Sequence, residues 1–154
     1  MIVVSNASPL ISLGAVGRLD LLHQLFGEVS IPTAVLHEVR SVDLEREAWV
    51  IPRSVRTDFI PRALEGELDS GESEAIALAV DLQANLLLMD ERRGRQVASR
   101  FGLKVLGTLG ILVEAKQQGL LTMVAPVLND LQTRAGFRVS SGLHQQILKV
   151  VGEA

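Results

Sequence analysis

Apolar residues along this chain follow two rhythms: short unbroken runs, and longer stretches in which they recur every three or four positions. Ile2-Val3-Val4 and Leu86-Leu87-Leu88-Met89 are of the first kind. Short continuous runs of this type suit strands of a sheet that is covered on both faces. They predict strands over Ile2–Ser5, Val29–Ile31 (closed by Pro32), Leu86–Met89 and Lys104–Leu106. Leu10, Leu13, Leu19, Leu22 and Leu25 carry the helical rhythm and predict helix from Pro9 to about Phe26, split in two near Gly14 and Gly17. Thr33 reads as the N-cap of a helix reaching Val39, and Asp43–Glu47 as a further helical turn. Trp49 to Pro61 is the least regular portion, with a strand expected around Val55–Ile60. Asp69 with Glu72 three residues on is a capping-box pattern ahead of a helix over Ala75–Leu82. Further helices are expected from Glu91 to Arg100 (stopped by Gly102), from Thr108 to Gln118 and near Thr122–Thr133. Phe137–Val139 reads as an edge strand, and Leu143, Ile147, Leu148 and Val151 mark a last amphipathic helix. Alternation of strands and helices predicts one α/β domain over residues 1–154 with a mainly parallel sheet.

Composition narrows the classes. With 154 residues and 47% apolar content, one domain with a substantial interior is expected. A net charge of −3 excludes a generically basic nucleic-acid coat, although Glu91-Arg92-Arg93-Gly94-Arg95 is a local basic run. Aromatic residues make up 3% and Tyr is absent, which argues against a single-strand binder built on stacked rings. With no cysteine, disulfides and thiolate zinc sites are excluded, and a reducing compartment is the natural reading. There is no basic leader ahead of an apolar core, and no apolar stretch approaches about 20 residues, so a cytoplasmic protein off the membrane is expected.

Ligands of open parallel sheets gather beyond the carboxyl ends of the strands. The first strand ends in Asn6 and the Leu86–Met89 strand ends in Asp90, so parallel neighbours would place both on one rim. Two acids among apolar neighbours on helices, Glu38 and Glu74, are candidates to join them. Clustered carboxylates raise one another's pKa unless a cation neutralises them, and an all-oxygen set favours a hard ion such as Mg²⁺ or Mn²⁺. Such a site suits phosphodiester cleavage by activated water. Simpler roles exist for each residue. Asn6 can cap a helix or close an Asx-turn, and Asp90 can be an N-cap. Glu38 can be a solvated helix residue, and Arg92, Arg93 and Arg95 an exposed helix face. Glu72 is assigned to the capping box, which leaves Glu74 as the acid of its helix chosen for the site. His23, His37 and His144 show no ligand spacing, and neither a phosphate-binding glycine loop nor a nucleophile elbow is present.

Five segments in order, "VVSNASPLI", "IPTAVLHEV", "LDSGESEAIALA", "LLLMDERRGR" and "KVLGTLGIL", together with the tail "GFRVSSGLHQQIL", resemble PIN domains of the toxin-like, VapC-related branch. The resemblance covers essentially the whole chain. It implies a three-layer α/β/α sandwich with a central mainly parallel sheet, and a metal-dependent ribonuclease site using Mg²⁺ or Mn²⁺. Carried over by position, the catalytic acids fall on Glu38, Glu74 and Asp90, and the metal ligands on these three with Asn6. Asn6 stands where the family has its first aspartate, Ser8 matches the small polar companion, and Ala7 replaces the usual Thr or Ser. Ser8 and Arg95 are the expected substrate contacts, Arg95 as a phosphate holder. The resemblance also implies an RNA substrate, a homodimer and a small antitoxin protein covering the site. Because Asn6 brings no charge, a catalytically weakened RNA- or protein-binding module is the alternative; a flavodoxin-like phosphate-binding domain is disfavoured by the missing phosphate loop.

Overall fold

The computed structural model describes residues 1–56 and 58–154. Its centre is a five-stranded, all-parallel sheet of β1 (Val3–Ser5), β2 (Val29–Pro32), β3 (Val50–Arg53), β4 (Leu86–Leu88) and β5 (Val105–Leu106), in the order β3-β2-β1-β4-β5. β1 lies between β2 and β4, with Val4 opposite Ser30 and Ser5 opposite Leu88. The strands are short and apolar because both faces are covered. Val3, Val29, Ile31 and Leu88 point into one core with α1 (Ala7–Ala15), α2 (Asp20–Phe26), α3 (Thr33–Glu38), α7 (Thr108–Gln117) and α8 (Ala125–Arg134). Val4, Leu87 and Met89 point into the other, with α4 (Phe59–Ala63), α5 (Ser70–Asp81) and α6 (Arg92–Arg100). This is the expected α/β/α sandwich. Among the described residues, no helix is long and apolar enough to cross a membrane.

Local signals account for most element ends. Gly17, at φ +70°, separates α1 from α2 in a backbone conformation that a side chain would strain. Asp69 caps α5 by accepting from the Glu72 N–H at 2.8 Å, and Ser140 caps α9 (Ser141–Val150) by accepting from the Leu143 N–H. Thr33 is the first residue of α3 and not its cap, since Pro32 holds the extended cap position. A 3₁₀ turn, Leu44–Arg46, occupies the expected helical turn.

Two expected strands are not where the sequence put them. The strand expected around Val55–Ile60 lies earlier, as β3, and Phe59 and Ile60 open α4; Thr57 lies outside the described residues. β3 accommodates Pro52 because it is an edge strand, and α4 accommodates Pro61 because its first turn needs no internal N–H donor. Phe137–Val139 forms no strand, since the Phe137 N–H is used by the Leu131 carbonyl to close the end of α8.

Near the end of the chain, Glu153 fastens three elements. Its carboxylate accepts from the Val124 and Ala125 N–H groups at 2.7 and 2.9 Å, at the start of α8, and pairs with Lys116 of α7 at 3.1 Å. Burial works against the charge, but these donors outweigh it and hold the carboxyl below the usual range. Glu153→Ala is expected to cost about 2 kcal/mol of stability, the worth of charge-assisted bonds at a helix start. Urea denaturation with an unchanged m-value checks this; an unchanged midpoint would show that the clasp is idle.

Candidate active site

The carboxyl ends of β1 and β4 meet where sheet geometry requires. Asn6 follows β1, its N–H donating to the Leu88 carbonyl at 3.1 Å, and Asp90 follows Met89 on the adjacent strand. Asn6 occupies the N-cap position of α1 with extended backbone, yet its side chain caps nothing. Its Nδ2 instead donates to Glu91 Oε2 at 3.0 Å, and Ser8 Oγ donates to Glu91 Oε1. Asn6 is 3% exposed, and its Oδ1 is buried without a hydrogen-bond partner. An orphaned buried acceptor is costly, of order 1–3 kcal/mol, unless something satisfies it.

Glu91 is coupled electrostatically to three other carboxylates, Glu38, Glu72 and Asp90. Glu38, at the end of α3, is exposed as a residue, but its carboxylate lies over the start of α5, where a Cβ on Gly71 would come 2.8 Å from Oε1. Its pKa is raised, first by partial burial and then by the charges of Asp69 and Glu91. Glu72, from the first turn of α5, lies over α6, where a Cβ on Gly94 would come 2.8 Å from its Oε2. Its carboxyl is pushed up to about 7 by burial, by the Asp69 side chain and by the charges of Asp69 and Glu91, against a hydrogen bond from the Asp69 backbone. A bound cation would favour the ionised form that burial and the neighbouring acids oppose.

Glu74 is not brought to this cluster. Two residues along a helix turn a side chain by about 200°, so Glu72 and Glu74 cannot share a face. Glu74 instead lines a separate cavity of about 450 Å³ with Thr33, Ala34, Val55, Asp58 and Pro61. Glu72 completes the capping box, its N–H donating to Asp69 Oδ1 and its carboxylate accepting from the Asp69 backbone, and the same carboxylate lies over α6.

Asp90 is on the rim but its oxygens are engaged. Oδ1 accepts from the Thr108 N–H and Oδ2 from the Thr108 hydroxyl, both at 2.7 Å, which ties β4 to the start of α7. Burial raises its pKa, while the Thr108 donors and Arg95 pull it down. Gly107 leaves room for this approach: a Cβ there would come 3.0 Å from Asp90 Oδ1 and 3.3 Å from Arg95 Nη1. Two grooves of about 300 Å³ each meet at Asp90 and Arg95. One is bordered by Arg92, Gln96 and Ser99, the other by Leu109, Phe137 and Arg138. Arg93 and Arg100 are paired with Glu67 and belong to neither groove. Sequence reasoning missed Glu91; its one available signal was an acid directly after a strand-end acid, at the position that opens α6.

The oxygen-only donors and the orphaned Asn6 Oδ1 suit a hard divalent ion. Among the described residues, no three Asp, Glu or His side chains gather closely enough to hold one as they stand.

Two expectations follow from this crowding. Gly71→Ala should displace the flexible end of Glu38 while adding helix propensity to α5, so it should fold at least as stably as wild type and bind Mn²⁺ more weakly. Calorimetry for both properties checks this, and undiminished binding would place Glu38 outside the site. The second concerns pH. Because the pKa of Glu72 is about 7 in the folded state against an ordinary 4.5, the stability linked to it is complete below pH 4.5 and is lost as pH rises through 7. In EDTA at pH 8, Glu72→Gln should melt about 2–4 °C above wild type, with the gap closing toward pH 4.5. A gap independent of pH would mean that the carboxyl titrates normally.

The sequence profile of a PIN-domain family matches residues 2–153. No curated protein and no solved structure gives a significant match. A parallel sheet sandwiched between helices, with acids gathered beyond its central strands, is the nuclease-type fold that this match implies. The chain belongs to the PIN-domain family.

Proposed function

We propose that this protein is a divalent-metal-dependent endoribonuclease that serves as the toxin of a toxin–antitoxin pair. The observation that carries the nuclease reading is that Glu91, bonded to the buried Asn6 amide, lies within electrostatic reach of Glu38 and Glu72, acids from two other elements. Glu38 and Glu72, with Asn6 Oδ1, would hold Mg²⁺ or Mn²⁺. Bound there, the ion supplies positive charge to the scissile phosphate and lowers the pKa of attacking water. The chain's own contribution is positioning. Arg95 and Arg92, on the groove beside Asp90, offer guanidinium groups to the phosphate backbone, which is how a protein of net charge −3 can take an RNA strand locally. Asp90, braced by Thr108, keeps Arg95 beside the rim. Ser8 serves the site through Glu91.

The toxin role, with a homodimer and a small antitoxin as partners, rests on the likeness of the five sequence segments to VapC-related chains. One observation favours a second reading, an RNA- or protein-binding module with lost catalysis: Asn6 brings no charge, and the acids stand apart. The test is incubation of the purified protein with single-stranded RNA and Mn²⁺, with and without EDTA. Internal cleavage that EDTA abolishes supports the nuclease; binding of the same RNA without cleavage supports the module.

A further inference from the structure

We infer that Glu91 supplies the carboxylate that Asn6 lacks, so that Asn6 and Glu91 act together as one split acid at the end of β1. This deepens the metal-dependent reading and rests on it.

The inference starts from two residues that decline their local roles. Asn6 is the N-cap residue of α1 and Glu91 the N-cap residue of α6, and neither side chain caps its helix. They bond to each other, across 85 positions of sequence, because β1 and β4 are neighbours. Ser8 Oγ donates to the other Glu91 oxygen, so the carboxylate is gripped at both ends by the first turn of α1. Two donors thus converge on one side chain, one on each of its oxygens.

The amide matters to this arrangement. Asparagine offers a donor, Nδ2, to the Glu91 carboxylate and keeps Oδ1 as a buried, unpartnered acceptor. An aspartate at position 6 has no hydrogen to offer, and two carboxylates 3.0 Å apart repel unless a proton or cation lies between them. Asn6 and Glu91 are therefore a matched pair: one negative charge and one neutral oxygen, where a lone aspartate would give one charge alone. Glu91 also lies within electrostatic reach of the other acids, its charge adding to the burial that raises the pKa of Glu38, Glu72 and Asp90. Asp90 is braced in the same way, with a Thr108 donor on each oxygen, so this loop brings two carboxylates to the rim, and Glu91 is the one joined to Asn6.

A charge swap tests the pairing, with Mn²⁺ binding followed by electron paramagnetic resonance of the free ion and folding by thermal melts in EDTA. Glu91→Gln should fold and bind Mn²⁺ about tenfold or more weakly. The double variant Asn6→Asp with Glu91→Gln restores one charge and one amide donor in exchanged positions, and should recover near wild-type binding. Recovery in the double variant is an outcome that a merely structural Glu91 would not produce. Wild-type binding by Glu91→Gln, or a folded double variant that stays as weak as the single one, overturns the pairing and leaves the nuclease reading standing. Absence of both Mn²⁺ binding and RNA cleavage in the wild type overturns both.

Discussion

Glu38→Gln and Glu72→Gln are each expected to lower Mn²⁺-dependent RNA cleavage by about 100-fold or more, a loss near 2.7 kcal/mol in transition-state stabilisation. Each exchange removes one charge and hardly changes shape, so the loss belongs in kcat/KM and not in folding. Stability should hold or rise, because burial first, and then the charges of Asp69 and Glu91, push the pKa of both upward. Opposite signs for activity and stability are the mark of groups kept for function. Glu74→Gln is the internal control. It alters an acid on the same helix but in the cavity beside Asp58 and Pro61, and should retain cleavage close to wild type. If Glu74→Gln abolishes cleavage and Glu72→Gln does not, the face of α5 assigned to the site is the wrong one.

Asp90→Ala should instead damage the fold. Thr108 is fully buried, and both its N–H and its hydroxyl donate to this single carboxylate at 2.7 Å. Removing the acceptor leaves two donors unsatisfied at the junction of β4 and α7, which is expected to cost about 2–3 kcal/mol. For a chain of this length that is a fall in Tm of roughly 5–10 °C. Asp90→Asn keeps one acceptor for the N–H and offers the hydroxyl a donor, so its loss should be smaller, about 1 kcal/mol. The desolvation that raises the Asp90 pKa also disappears in the amide, which offsets part of the cost. Melting curves of the three proteins decide the matter. An alanine variant as stable as wild type would show that the Thr108 bonds contribute nothing to the fold.

Much of the scaffold was legible because it is written in local terms. Runs such as Leu86-Leu87-Leu88 carry no alternation, and both faces of the resulting strand are indeed covered. The Asp69–Glu72 pattern caps α5, since a cap depends on groups three positions apart, and the helix begins at Ser70, ahead of the expected Ala75. The shared rim of Asn6 and Asp90 followed from parallel, adjacent strands, a geometry that short apolar runs alternating with helices make the simplest arrangement. Errors fell where local signals compete. Trp49 to Pro61 mixes branched residues with two prolines, and only pairing with β2 selects Val50–Arg53 as the strand. Phe137 has a strand former's side chain, but its N–H is spent on closing α8.

By itself, then, the sequence determined the α/β alternation and the kinship with PIN domains, both of which depend on spacing along the chain or on residue type. Tertiary structure alone decided which acids meet. It turned Glu72 toward the cluster and Glu74 away, committed Asp90 to Thr108, and set Glu91 against Asn6 and Ser8. The reason is that a side chain's direction is fixed by how its helix is rotated against the sheet. That rotation is set by packing between residues distant in sequence, which no local pattern records.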